Sequence, residues 1–333
     1  MNITLFGSKD FDSLEYHIND SMVFLGHNVT HIDIKDVISI PYRYNYWGRK
    51  LFKSYDEYLF KKIASKIIDS NPDFIVVTYR FTHPLCIEMI KQALPKVKVV
   101  HVNPDALTTF EQQQIFASQY DAYFTKDPYI VDFMKNKMQL NTFYLPEAFN
   151  ERVHKPSQEN RFDLEKKIDI DVVTFGTIYP YRAKMVSNLI NRGVDITLFG
   201  TPDKKFPRKE ITNNFKNEFI TGERKAEVLL GSKIIFNNFH YAEIESANVK
   251  FFEIAGIGGF QICDYKPTLK EYSKIDTDKY TFKTLDEAYE LIQFYKNKPE
   301  LRHALAEEQR EHFLQNHTYE KRIQQLLNNC NLA

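Results

Sequence analysis

Short apolar runs alternate with helix-length segments along this chain, and the series runs twice. In the first half "ITLFG", "VTHIDI", "FIVVTY", "VKVVHV", "DAYFT" and "NTFYLP" read as strands. Between them, residues 55–70 carry Leu59, Ile63 and Ile67 at helical spacing and stop at Asn71-Pro72-Asp73. "PLCIEMIKQAL" is a further helix, and two more are expected near 109–118 and 128–138. Strands joined through helices of this length pair in parallel, as βαβ units. The stretch 146–168 is polar, charged and proline-bearing, and the alternation restarts after it. "IDIDVVTFG", "VDITLFG", "KIIFNNF" and "GFQICD" are the next strands, and a helical tail runs from 284 to 330. The expected fold is α/β, with two Rossmann-like doubly wound domains facing across a cleft. The expected boundaries are a domain at 1–150, a linker at 151–168, a second domain at 169–312 and a helix at 313–333 packing back on the first domain. Ligands of such sheets bind beyond the carboxyl ends of the strands.

The 333 residues exceed one ordinary core, and 43% are hydrophobic. Lys+Arg and Asp+Glu number 44 each, which argues against a nucleic-acid binder that works through a whole-surface field. Cys86, Cys263 and Cys330 are far apart without metal-ligand spacing, so neither zinc nor a disulfide framework is expected. No run approaches membrane-spanning length, and the N-terminus reads as a strand and not as a signal peptide. A cytoplasmic protein is expected, with peripheral membrane contact left open.

Several polar groups fall at strand ends. Gly176-Thr177 follows a buried strand and precedes Tyr181, Arg182 and Lys184. Such a turn, with a helix N-terminus behind it, gathers N–H groups into an anion site, although a plain βα turn would read the same way. In "SANVKFFEIAGIGGFQICD", Glu253 lies among apolar residues of a helix expected at 247–256. A buried carboxylate needs a partner. A ribose diol is one candidate, and a salt bridge to Lys250 or Arg182 is another. Gly256, Gly258 and Gly259 either let a ligand approach the backbone or cap the helix. Asn237 and Asn238 near the end of "KIIFNNF" and His240 just after it lie at a cleft-facing end, and Asp105 follows "VKVVHV" as a candidate base or a turn residue. Asp169-Ile170-Asp171 begins a strand at the opposite end from Gly176, so it is not expected to bind a metal.

The segment from about 172 to 327 resembles the donor half of a GT-B glycosyltransferase. The likeness is to the glycosyltransferase-like group that includes the spore-maturation protein CgeB, related to the group 1 transferases. It rests on "VVTFGTIYPYR", the glycine-rich segment quoted above, "YTFKTLDEAYELIQFY" and "NHTYEKRIQQLL". Within these, Gly176 with Arg182, then Asn248, Lys250, Phe252, Glu253 and Ile254, then His317, Thr318, Tyr319 and Arg322 match the group's pattern. The resemblance implies transfer of a sugar from a nucleotide diphosphate sugar, a UDP-sugar being expected, to a glycan, glycolipid or protein. Glu253 would hold the donor ribose, and Arg182 and Lys250 would meet the diphosphate without a metal or other cofactor. Gly176, Thr177, Tyr181, Asn248, Gly256 and Gly258 would complete the donor site. Glu245 and Glu253, with seven residues between them, resemble the Glu-x7-Glu element of retaining enzymes, although Ile244-Glu245-Ser246-Ala247 stands where those carry Gly-Phe-Gly. Glu245, Asp105 and His240 are the candidate catalytic residues. The alternatives are a nucleotide-sugar epimerase or hydrolase of the same fold, or a non-catalytic sugar-binding assembly protein.

Overall fold

A computed structural model describes residues 1–38, 40–103 and 114–332, apart from the side chain of Tyr42. Asp105 lies outside the described residues. The strands are β1 Asn2–Phe6, β2 Asn28–Ile32, β3 Phe74–Val77, β4 Lys98–Asn103, β5 Ala122–Thr125, β6 Thr142–Tyr144, β7 Ile170–Thr177, β8 Ile196–Thr201, β9 Ser232–Asn237, β10 Gln261–Asp264 and β11 Thr281–Phe282. The helices are α1 Leu14–Phe24, α2 Tyr42–Leu51, α3 Lys53–Asp69, α4 Pro84–Ala93, α5 Gln114–Ala117, α6 Pro128–Asp132, α7 Arg161–Ile168, α8 Pro180–Asn191, α9 Lys209–Asn213, α10 Gly222–Gly231, α11 Val249–Ile257, α12 Leu269–Tyr272, α13 Leu285–Lys296, α14 Pro299–Asn316 and α15 Tyr319–Asn329.

The chain divides into two compact units. Residues 1–146 with the segment from Tyr319 onwards form one, and Glu147–Thr318 the other. The first holds a sheet in the order β2-β1-β3-β4-β5-β6, and the second a sheet in the order β11-β10-β9-β7-β8. Every pairing among these strands is parallel. Strands covered on both faces need continuous apolar runs, and β3 is Phe-Ile-Val-Val with all four residues buried. Cys86, Cys263 and Cys330 are all buried and free. In the first unit Arg322 donates to the Pro146 carbonyl at 3.0 Å, and Gln325 to that of Tyr144 at 3.0 Å, so α15 is tied to the end of β6.

Two differences from the sequence reading have plain physical causes. The polar stretch 151–168 is more than a linker, because its second half forms α7 with Leu164 fully buried. The polar residues there also do internal work. Glu165 accepts from Arg302 at 2.8 Å and from His303 at 2.7 Å, and Arg302 is itself 1% exposed and bonded to the Tyr295 and Lys296 carbonyls. Burial alone would raise the Glu165 pKa, but bonds and charges from His303 and Arg302 leave it lowered.

The second difference concerns the glycine-rich break. Gly256 lies inside α11, and Gly258, with φ +98°, caps the helix's C-terminus. The Gly258 and Gly259 N–H groups return to the Ile254 carbonyl at 3.1 and 2.9 Å. This cap leads into the start of β10, and so lies at the edge of the sheet opposite the strand carboxyl ends. Of the two readings left open for these glycines, packing and capping is the one these contacts fit, Gly256 packing and Gly258 capping. A Cβ at Gly256 would sit 2.3 Å from the Phe149 ring. Gly→Ala in an open helix is worth about 1 kcal/mol of stabilisation. Here Gly256→Ala is expected to destabilise by about 1–3 kcal/mol through overpacking. Chemical denaturation measures the sign, and a stabilised variant would contradict the packing role.

Candidate functional site

In the sheet of the second unit the chain passes from β7 to β8 on one side and then to β9 on the other. The carboxyl ends of β7 and β9 therefore frame the topological switch point, where open α/β sheets place ligands. The β7–β8 ladder runs on to Thr177–Thr201, but the β7–β9 ladder extends only to Val173–Ile235. The strands diverge there and leave the Phe175 carbonyl available beside the gap.

Two cations fill this gap. Arg182, on the first turn of α8, donates to the Phe175 carbonyl at 3.2 Å, the Thr177 carbonyl at 3.1 Å and the Asn238 carbonyl at 3.1 Å. Lys250, on the first turn of α11, donates to the same Phe175 carbonyl at 3.2 Å. Among the described residues neither forms an ion pair, and the buried Arg182 Nε has no hydrogen-bond partner. Burial lowers the Arg182 pKa to about 10. Burial and then the Arg182 charge push Lys250 well below its ordinary value. Gly176 lies against both. Its φ is +99°, and a Cβ there would be 3.6 Å from Arg182 Nη1 and 3.8 Å from Lys250 Nζ. Tyr179 caps α8 without a side-chain bond, so this helix N-terminus presents N–H groups with no side-chain acceptor.

The rim is aromatic. Tyr181 stands edge-on to Tyr241 at 5.8 Å, and Tyr179 to His240 at 5.7 Å. His240 is thus placed beside the start of α8, and its Nδ1 accepts from the Ala242 N–H at 3.2 Å. Thr177 is exposed at the end of β7. Glu245 is half-buried in the loop that follows His240. Its carbonyl accepts from Thr268 Oγ1 at 2.5 Å, so the loop is pinned to the segment after β10.

Asn248 does a different job from the one expected. Its Oδ1 accepts from the Phe251 N–H at 3.0 Å as the N-cap of α11, and its Nδ2 donates to Asn237 Oδ1 at 3.1 Å. It fixes α11 over the end of β9, and so positions Lys250. Glu253 is 5% exposed, one turn deeper. It pairs with Lys225 of α10 at 3.3 Å and with His154 at 3.7 Å, not with Lys250 or Arg182. Nothing in the spacing of the sequence marks Lys225 or His154 as its partners. His317 Nε2 lies 3.0 Å from the Tyr272 carbonyl, and its ring packs on Phe313 at 4.6 Å. Asp171 at the start of β7 is held by Lys233 at 2.6 Å and by Lys296.

Sequence reasoning missed Asp264, at the carboxyl end of β10. Its Oδ2 accepts the Phe239 N–H at 2.5 Å. Burial raises its pKa to about 6, against the lowering effects of that N–H and of the Lys266 and Arg182 charges. The arrangement as a whole sets Arg182 and Lys250 beside a helix N-terminus without a side-chain cap, with exposed rings around it. It is suited to an anion attached to a flat or sugar-like group.

Residues 182–328 match the model of the glycosyl transferase-like family. No curated protein matches the chain. A sucrose-phosphate synthase from Thermosynechococcus elongatus is similar over 99% of this chain and 98% of its own, with 13% identity and a TM-score of 0.71. Anabaena HepE, solved in complex with UDP and glucose, is similar over 100% of both chains at 12% identity and a TM-score of 0.70. The T4 phage enzyme BGT, solved in complex with its UDP-glucose substrate, is similar over 99% of each chain at 11% identity and a TM-score of 0.59. At these identities the likeness shows a shared fold.

Asp264 makes the folded state pH-sensitive. Its carboxyl ionises near 3.8 in the unfolded chain and near 6 in the folded one. The stability it contributes is complete below the unfolded value and is lost as pH rises through the folded value. The difference corresponds to about 3 kcal/mol before solvent screening. Asp264→Asn keeps an acceptor for the Phe239 N–H, so the variant is expected to gain on the wild type as pH rises from about 4 to about 7. Melting temperatures across that range test this, and parallel curves would refute it.

Proposed function

We propose that this chain, which has the GT-B fold of glycosyltransferases and is related through residues 182–328 to the glycosyl transferase-like family, transfers a sugar from a nucleotide diphosphate sugar. The observation that carries the reading is the pair Arg182 and Lys250, neither of which forms an ion pair among the described residues, at the switch point beside Gly176. A UDP-sugar is the favoured donor, in keeping with the ligands of HepE and the T4 enzyme. The acceptor is a glycan, glycolipid or protein, and the reaction takes place in the cytoplasm. The affinity to the CgeB-like group belongs to the same proposal.

In this reading the diphosphate lies over Gly176 and Thr177, against Arg182, Lys250 and the first turn of α8. Tyr181 and Tyr241 flank it. Glu253 accepts from the ribose hydroxyls, oriented by Lys225. The bond between the anomeric carbon and the diphosphate breaks, and its electron pair leaves on phosphate oxygen. The acceptor oxygen bonds to the anomeric carbon, and its proton passes to a base. His240, Glu245 and Asp105 are the candidates for that role, and retention at the anomeric carbon is the expected course. Charge developing on the leaving diphosphate is met by side-chain cations and oriented N–H groups already in place, which is why the proposal includes no metal.

The test separates folding from binding. Lys250→Met removes a half-buried cation outside any ion pair among the described residues, so its melting temperature without ligand should equal or exceed the wild type's. The same change should weaken UDP binding by about 10–100-fold, the worth of one charge-assisted hydrogen bond of about 1.5–3 kcal/mol. Saturating UDP should stabilise the wild type by about 2.7 kcal/mol at 100 times its dissociation constant. Calorimetry and thermal shift read both effects. UDP bound equally by wild type and variant would remove the site, and turnover of UDP-sugar to free sugar with every acceptor class would favour a hydrolase.

A further inference from the structure

Helix α2 of the first unit is amphipathic in the reverse sense. Asn45 and Arg49 face the protein. Asn45 is 1% exposed and accepts from the Tyr55 hydroxyl at 3.0 Å. Arg49 is 7% exposed, pairs with Asp56 at 2.6 Å, and donates to the Tyr79 hydroxyl at 2.6 Å and the Phe81 carbonyl at 2.8 Å. Its large apolar residues face outward. Tyr44, Trp47 and Leu51, spaced three and four apart, are 70%, 50% and 69% exposed, and Ile40 before the helix and Phe52 after it are 47% and 62% exposed. The spacing puts Tyr44, Trp47 and Leu51 on one stripe.

The stripe is set in positive charge. Residues 40–62 contain six Lys or Arg (43, 49, 50, 53, 61 and 62) against two acids (56 and 57), in a chain whose net charge is zero. Asp56 is consumed by Arg49, which leaves Glu57 as the acid beside the exposed cations, 3.7 Å from Lys53. Lys50 lies over the Trp47 ring at 5.6 Å, and Lys62 over the Tyr58 ring at 4.7 Å. A contiguous exposed apolar stripe calls for a covering surface. Aromatic rings interleaved with basic side chains suit the boundary between anionic headgroups and acyl chains. No described helix is long and apolar enough to cross a membrane, so a helix lying in the interface is the matching mode.

We infer that α2 docks this protein on an anionic lipid surface, with Tyr44, Trp47, Leu51 and Phe52 entering the headgroup layer and Arg43, Lys50 and Lys53 meeting lipid phosphates. The inference is independent of the sugar-transfer reading. A protein without donor affinity would still bind vesicles, and one that bound UDP but not vesicles would leave that reading untouched.

Trp47 is the only tryptophan in the chain, so it reports directly. The full-length protein is titrated with phosphatidylcholine vesicles, with and without about one-third phosphatidylglycerol, and Trp fluorescence and co-sedimentation are recorded. The expected result is a blue shift and pelleting with the anionic vesicles only. Each basic residue near the surface is worth about fivefold in partitioning. Lys50→Glu with Lys53→Glu should therefore weaken it by well over tenfold, as should salt at about 1 M, where the Debye length is about 3 Å. Leu51→Asp should lose binding while keeping the wild-type melting temperature. Should that variant misfold, quenching of wild-type Trp47 by lipids brominated along the acyl chain decides the matter. Absence of a shift with anionic vesicles overturns the proposal. So does self-association in sedimentation that Leu51→Asp abolishes, which would make a second copy the occupant. A Trp shift produced by soluble oligosaccharides and not by vesicles would assign the stripe to a glycan instead.

Discussion

The parting of β7 from β9 is the constraint on which the functional half of this molecule rests. A parallel ladder that continued past Val173–Ile235 would take the Phe175 carbonyl as a strand partner and close the sheet edge. Because it stops, that carbonyl must find donors elsewhere, and it receives both Arg182 and Lys250. Gly176 and Gly200, opposite each other in the β7–β8 register, make the bend at that edge possible. Both hold positive φ, and a Cβ on Gly200 would lie 2.4 Å from the Gly176 carbonyl oxygen. The left-handed glycine at 176 thus keeps a side chain out of the place where the two cations meet.

The two units put opposite chemistry on the same topology. In the first, β1 passes to β2 on one side and β3 on the other, so its switch point lies at Gly7. There the space is filled. Thr78 Oγ1 donates to Glu15 at 2.7 Å, and a Cβ on Gly7 would be 2.1 Å from that hydroxyl oxygen. A carboxylate in the first turn of α1 makes that edge a poor host for an anion. In the second unit the corresponding helix, α8, starts with no acidic side chain and with Arg182 in its first turn. One sheet plan therefore yields one self-satisfied edge and one that is electrostatically unfinished.

The order of strands and helices was legible because burial on both faces demands apolar runs, and β3, β7 and β9 show them plainly. The pairing of Gly176 with Arg182 was legible, since a glycine after a strand and a base in the next helical turn are local in sequence. What local pattern could not resolve was direction. Gly256 and Gly258 share a helix with Lys250, but that helix runs antiparallel to its strands, so its two ends serve opposite edges of the sheet. Asp264 and Lys225 escaped notice for another reason. Their roles come from contacts with Phe239 and Glu253, 25 and 28 residues away, which no spacing rule encodes. Polar composition also misled at 161–168, where Glu165 is polar because it answers the buried Arg302, not because it faces water.

The unfinished edge persists because the nearby carboxylates are occupied. Glu253, close enough in sequence to neutralise Lys250, is turned to Lys225 and His154. Asp264, close enough to lower the charge around Arg182, is held by a backbone N–H and retains affinity for a proton up to about pH 6. Asn248, which caps α11 where an acidic residue would also serve, does so without adding charge. Burial, together with the mutual repulsion of Arg182 and Lys250, still disfavours the charged forms of both. An anion entering the recess reverses all of these costs together, because it restores the opposite charge that burial and mutual repulsion withhold. A neutral ligand of the same size would supply no such charge.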